Sequence, residues 1–379
     1  MGPITCIEDL RLAARRRLPS ALFDYADRGS YDEITIERNR QDLDTLAFRQ
    51  RVAVDVSSRE LRTTLVGQPA VMPVAIAPTG LTGLYYKDGE IVGAQAAQAC
   101  GVPFCLSTMS ICSIEDVTAS TQAPIWFQLY LMRDRGLNRE LLIRAAAAEC
   151  PVLVLTLDLQ VQGLRRQEVK RGLTIPPRLT LRNAFEMAMR PSWAWGVLLG
   201  KRRTFGNLAA RMQGAEGLVT LAQWIATQFD PSVTWNDVEW VRALWPGKLV
   251  VKGILDPADA RCAVQAGVDA VVVSNHGGRQ LDGAPSSISV LPRVVEAVDG
   301  RCEVLFDGGV RSGQDVLKAL ARGARGCLIG KTFLYGLGAF GGRGVRMALE
   351  TIRKELDVTM ALCGVTSVHK VTREVLFEQ

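Results

Sequence analysis

Ala270-Val271-Val272-Val273-Ser274-Asn275-His276-Gly277-Gly278-Arg279-Gln280-Leu281-Asp282 is the stretch from which the rest of the chain can be read. Apolar, mostly β-branched residues follow one another without alternation, as in a parallel strand buried on both faces. The run then stops in polar residues and glycine. Seven more apolar runs behave in the same way, at 73–78, 103–107, 125–130, 152–157, 249–252, 304–306 and 327–329; this one covers 270–274. Eight β-then-α units predict an α/β fold, a (β/α)8 TIM barrel, ahead of a doubly wound sheet.

The segments between the runs carry helix signals. Asp256-Pro257 places an N-cap before a proline at the first helical position, and Gly267 closes that helix. Ser312 with Asp315, closed by Gly323, and Thr234 with Asp237, stopped by Pro246-Gly247, open two more. Residues 1–70 are expected to form a helical and short-strand extension. A long insertion of about 166–233 separates the fourth and fifth strands and far exceeds a usual βα loop. The expectation is one domain over 1–379, with its barrel core at about 71–165 and 234–360.

Composition narrows the function. The chain has 48% hydrophobic and 22% charged residues, normal for a folded soluble protein. A formal charge of +6 is modest for 379 residues and is no nucleic-acid signature. Nine cysteines without a C-x-x-C pair suit free thiols in a reducing compartment, and two histidines without a Cys/His cluster argue against a metal site. Arg11 and Arg15 to Arg17 interrupt any signal-peptide core, and no apolar run approaches the length of a spanning helix. The expected location is the cytoplasm or the inner face of the plasma membrane, held peripherally. Charge is concentrated from Arg171 to Met212, where eight basic residues face Glu186 alone, a net of +7. Trp193, Trp195 and Lys201-Arg202-Arg203 lie in the same stretch. Tryptophan and basic residues together suit the headgroup boundary of an anionic membrane.

Chemistry in a barrel of this kind gathers where strands end. Those ends supply Pro78-Thr79-Gly80, Ser107, Gln128, Tyr130, Thr156, Asp158, Lys252, Ser274-Asn275-His276, Asp307-Gly308-Gly309 and Gly330-Lys331. Glycine and a cation recur in the last two loops, with Arg311 and Lys331, as a phosphate site at a helix N-terminus requires. His276 suits proton abstraction near neutral pH, Arg279 suits a carboxylate, and Asp158 could orient the imidazole. Lys252 admits two readings: a Schiff-base amine, as in an aldolase, or a fixed charge beside a flavin. Gly336-x-Gly338-x-x-Gly341 matches a dinucleotide fingerprint in letters but lacks the strand–turn–helix setting, so it is read as a loop or glycine-rich helix.

The run from Ser274 to Asp282 resembles the signature of the FMN-dependent 2-hydroxy acid oxidases and dehydrogenases. The resemblance extends to Leu18-Pro19 with Phe23-Asp24-Tyr25, Ala77 to Gly80, Phe127 to Tyr130, Val251 to Gly253 and Asp307 to Arg311. Within that family the chain is most similar to bacterial respiratory L-lactate dehydrogenases, in Gly80-Leu81-Thr82-Gly83, Pro124 to Phe127, Phe229 to Ser232 and Lys252 to Pro257. The resemblance implies FMN as cofactor and oxidation of an L-2-hydroxy acid, with L-lactate to pyruvate the best single choice. It assigns His276 as base, Asp158 as its partner, and Arg165 and Arg279 to the substrate carboxylate. Tyr25 and Tyr130 would contact the substrate, and Lys252 would support negative charge on the flavin. Pro78, Thr79, Gly80, Ser107, Gln128, Thr156 and Ser274 would line the isoalloxazine and ribityl chain. Asp307, Gly309, Arg311, Gly330 and Lys331 would hold the ribityl and phosphate end.

The same resemblance implies a homo-oligomer, a tetramer by family habit, and a quinone or other respiratory acceptor. An oxidase using O2 on glycolate or mandelate, and the Lys252 aldolase, are the rivals. Three positions depart from the family pattern. Lys331 stands in place of arginine, Met109 stands where glycolate oxidase has tryptophan, and Gln160 to Leu164 lacks the proline that usually precedes Arg165.

Overall fold

In the computed structural model, which describes residues 2–170, 186, 188–198, 200, 202, 204–209 and 227–377, all eight apolar runs are strands. A short antiparallel hairpin, β1 (Thr63–Leu65) and β2 (Gln68–Ala70), precedes them. The barrel strands are β3 (Val74–Ile76), β4 (Cys105–Ser107), β5 (Trp126–Tyr130), β6 (Val152–Thr156), β7 (Lys248–Ile254), β8 (Ala270–Val273), β9 (Glu303–Phe306) and β10 (Gly326–Ile329). They pair in parallel from β4 through to β10 and on to β3. A parallel bridge between Ile76 and Phe104 brings β3 and β4 together and closes the ring.

The unbroken apolar runs follow from burial on both faces. Ala75, Cys105, Trp126, Val154, Val250, Val272, Leu305 and Leu328 belong to the cluster inside the barrel. Their neighbours Ile76, Leu106, Phe127, Leu155, Val251, Val273, Phe306 and Ile329 belong to the layer against the helices. Trp126, the largest fully buried side chain, shares this inner cluster with the small residues Ala75 and Ala270. The hairpin adds Leu65, Val66 and Ala70 to the inner cluster, so it closes one end of the barrel, and Val66 N–H donates to Glu303 at 2.9 Å.

The helix signals are also realised. Asp256 caps helix Pro257–Gln265 by accepting from Ala258 N–H at 2.7 Å, and Ser312 caps Gly313–Ala321 through Asp315 N–H at 3.1 Å. Gly336 and Gly338 lie within helix Lys331–Phe340, which Gly341 ends. A Cβ on Gly336 would come within 2.5 Å of the Gly344 carbonyl, so close helix packing accounts for that glycine, not nucleotide binding.

One boundary needs correction. Lys252 was expected to end its strand, but β7 runs on to Ile254 through a register shift between Lys252 and Ile254. Gly253 takes φ +108 there, and a Cβ on it would meet the Asp158 carboxylate at 2.7 Å. The irregularity makes room for Asp158 at the barrel mouth.

Candidate active site

Strand periodicity builds the site. Two residues beyond the inward-facing positions come Ala77, Ser107, Gln128, Thr156, Lys252, Ser274, Asp307 and Gly330. They form the next layer toward the C-terminal mouth, where the barrel core gives way to polar atoms. Above them lies a cavity of about 320 Å³ whose wall includes Tyr25, Pro78 to Gly80, Ser107, Tyr130, Thr156, Arg165, Lys252, His276, Arg279, Asp307, Gly309, Arg311, Gly330 and Lys331. The three remaining expected residues stand directly behind this wall. Gln128 accepts from the Ser107 hydroxyl at 3.0 Å, Ser274 accepts from Lys252 Nζ at 2.8 Å, and Asp158 holds His276.

His276 Nδ1 and Asp158 Oδ1 are 2.8 Å apart. With the carboxylate ionised, Nδ1 carries the hydrogen and Nε2 is left as acceptor toward the cavity. Burial pulls the imidazole below its ordinary value despite Asp158. Burial pushes Asp158 up, but His276 and Lys252 outweigh it and hold the carboxylate below its usual range. Both directions describe a neutral imidazole beside a carboxylate, the resting state of a general base. His276 itself has φ +56, and Gly277 and Gly278 follow at +63 and +74. A histidine held in that region costs about 1–3 kcal/mol, and the surrounding contacts maintain it. Among them, Asn39 and Asn275 exchange two amide hydrogen bonds of 2.8 and 2.7 Å, and Asn275 also accepts from Gly278 N–H.

Lys252 is buried, with Nζ 2.7 Å from Asp307 Oδ2. Burial lowers its pKa, but Asp307 and Asp158 raise it by more, so the ammonium stays charged. A Schiff-base lysine must lose its proton first, so this environment opposes the aldolase reading. The Arg279 guanidinium stacks 4.5 Å from the Tyr25 ring centroid and donates to the Tyr25 carbonyl. Arg165 Nε donates to the Arg279 carbonyl at 3.3 Å. Two guanidiniums and the His276 imidazole thus line one cavity.

The other end of the cavity suits an anion. Gly330 caps helix Lys331–Phe340, whose N-terminus meets Lys331 and Arg311 on the wall. Lys331 Nζ donates to the Asp27 carbonyl at 2.9 Å, and burial together with Arg279 pulls its pKa down to about 7. A phosphate there would restore the full charge. Between the two ends, Thr156 Oγ1 and Asp307 Oδ1 are buried without a hydrogen-bond partner among the described residues, as is Gln128 Nε2 behind them. Unpaired buried polar atoms beside a fixed cation, with an anion cradle beyond, fit a polar ring system carrying a phosphate tail such as FMN.

Some wall residues gave no readable signal. Asn39 comes from helix Ile34–Thr45 of the N-terminal extension. Phe205 comes from the insertion, beside Asn207, which accepts from Ile114 N–H at 2.9 Å and donates to the Ser107 carbonyl at 3.2 Å. Glu168 did have a signal, its i,i+3 spacing from Arg165 at the start of helix Arg166–Lys170. Of the basic stretch, Arg171, Arg178, Arg182, Lys201, Arg203 and Arg211 lie outside the described residues. Arg202 is described and pairs with Asp88 at 2.9 Å and Asp116 at 2.7 Å. Trp193 is buried and donates to the Leu84 carbonyl at 2.8 Å, whereas Trp195 is 64% exposed. His369 is exposed and bonds the Arg62 carbonyl at 3.0 Å, apart from this cavity.

Known proteins bear on this geometry. The profile of the FMN-dependent dehydrogenases matches residues 14–378. An L-lactate dehydrogenase of Caulobacter sp. (strain K31) is 49% identical over 374 residues, covering 98% of each chain. That of Acinetobacter baylyi (strain ATCC 33305 / BD413 / ADP1) is 46% identical, covering 99% of this chain and 98% of its own. Among solved structures, a monotopic membrane protein, (S)-mandelate dehydrogenase, is 34% identical with a TM-score of 0.95, covering 100% of both chains.

Proposed function

The chain belongs to the FMN-dependent dehydrogenase family and is an oxidoreductase of L-2-hydroxy acids; from that premise we propose that its substrate is L-lactate, with His276 as base and Arg165 and Arg279 as the carboxylate grip. The observation that carries the reading is the His276–Asp158 pair at 2.8 Å, facing the same cavity as the two guanidiniums. Loss of two electrons and two protons turns a 2-hydroxy acid into a 2-oxo acid. Bound FMN supplies the acceptor for the electrons and the second proton. His276 Nε2 takes the other proton, and Asp158 stabilises the imidazolium that results. Arg165 and Arg279 orient the carboxylate, with Tyr25 and Tyr130 beside them. Burial raises the Tyr130 phenol, so it remains a neutral donor. Lys252 offers a fixed positive charge to the ring system. Gly309, Arg311, Gly330 and Lys331, with Asp307, hold the ribityl and phosphate end. One domain over 1–379 does this work.

Anaerobic mixing of the yellow holoenzyme with a panel of L- and D-2-hydroxy acids tests the proposal. L-lactate should bleach the flavin fastest and D-lactate should not bleach it. A chain that no hydroxy acid bleaches would have another function.

The relative solved as a monotopic membrane protein supports a peripheral seat on the inner face of the plasma membrane. Among the described residues no helix is long and apolar enough to cross a bilayer. Exposed Trp195 and the basic stretch around it would meet the headgroups, which puts a lipid quinone within reach as oxidant, and the assembly would be a homo-tetramer. Because Phe205 lines the cavity and Asn207 bonds the Ser107 and Ile114 backbone beside it, deleting 178–211 would damage the site as well as the seat. Trp195→Ala is the cleaner change. The intact protein should sediment with anionic vesicles at low salt and leave them at high salt, and Trp195→Ala should reduce the bound fraction several-fold. Intact protein that stays in the supernatant at low salt contradicts the membrane seat.

A further inference from the structure

Glu168 lies where the proposed chemistry has no use for a carboxylate. It is buried, it lines the cavity, and its Oε1 lies 3.4 Å from Arg165 Nη1 and 3.3 Å from Arg279 Nη2. Each arginine is also tied from behind. Arg165 Nη2 reaches Gln280 Oε1 at 3.4 Å, and Arg279 is fixed against Tyr25. Two buried guanidiniums repel each other, and Arg279 acts on Arg165 in that sense. Like charges taken out of water need an anion close by. One shared oxygen of Glu168 supplies it from the chain itself.

The substrate, if the carboxylate grip is read correctly, brings a second anion to the same pair. Two guanidiniums and two carboxylates then balance. We propose that Glu168 is a resident counter-anion: it holds Arg165 and Arg279 together while the site is empty, weakens the grip on the 2-oxo acid product, and biases the site toward monocarboxylates. It is a positioning residue, acting through the arginines. Electrostatic repulsion at a few ångströms inside a partly buried site is large enough to set affinity, and it doubles against a dianion.

The test is titration of oxidised, FMN-loaded enzyme with pyruvate and with oxalate by calorimetry. Glu168→Gln keeps the shape and removes the charge. Pyruvate should bind about tenfold tighter and oxalate should gain more. Glu168→Asp keeps the charge and should bind both within a few-fold of the original enzyme. Unchanged or weaker pyruvate binding in the Gln variant, or equal tightening in the Gln and Asp variants, overturns the counter-anion role. Arg279→Met separates this from the reading beneath it. If that variant loses pyruvate while Glu168→Gln gains nothing, only the role of Glu168 fails. If FMN-loaded Arg279→Met binds pyruvate normally, the carboxylate grip itself is wrong.

Discussion

His276→Ala should retain FMN yet lose the rate of flavin bleaching by L-lactate by at least about a hundredfold, the usual scale for a general base. The side chain meets Asp158 through Nδ1 and leaves Nε2 with no protein hydrogen-bond partner among the described residues. Burial lowers its pKa below the ordinary 6.5, so the neutral, proton-accepting form is already present at pH 7. A base with a lowered pKa is active above that pKa and is lost as pH falls through it. The acid limb of kcat/KM should therefore lie below pH 6.5 in the free enzyme. Asp158 raises the His276 pKa, so Asp158→Asn should move the limb further toward acid while slowing bleaching, because the imidazolium loses its counter-charge. Stopped-flow bleaching across pH reads both effects. Near-normal bleaching by His276→Ala would remove it as the base.

Lys252→Met should have an effect of similar size for a different reason. Nζ bonds Asp307 at 2.7 Å and Ser274 at 2.8 Å in a buried setting, so its removal strands the Asp307 carboxylate. Breaking a buried pair from one side costs about 3–5 kcal/mol of stability. Bleaching should also fall by about a hundredfold, since on the proposed reading a preorganised charge facing the flavin is lost. The double variant Lys252→Met/Asp307→Asn separates the two effects. It should recover most of the melting temperature and little of the bleaching rate. Recovery of both would mean that Lys252 serves the fold alone, and near-normal bleaching in the single variant would refute its role beside the flavin.

What the sequence determined by itself was everything that depends on period. A parallel strand buried on both faces must be apolar at every position, which made all eight strands readable to within two residues. Where such a run breaks into polar residues, the barrel core has ended, which made Ser107, Thr156, Lys252, Ser274 and Asp307 readable as one layer. Helix caps and the two glycine-and-cation loops after the last strands were local for the same reason. The ordered motifs went further and joined Asp158 to His276, residues 118 apart in the chain.

Only the tertiary structure decided what closes over that layer. Asn39 bonds Asn275 across 236 residues, Tyr25 lies under Arg279 from 254 residues away, and Phe205 comes from an insertion with no periodicity of its own. Glu168 could be paired with Arg165 by spacing, but its second partner, Arg279, is 111 residues distant. The continuation of β7 past Lys252 was hidden because Gly253 reads as a stop, whereas its positive φ in fact admits Asp158. Local sequence encodes which face of an element is buried. It does not encode which distant element will cover that face, because that follows from barrel closure and the packing of the extension and insertion across its mouth.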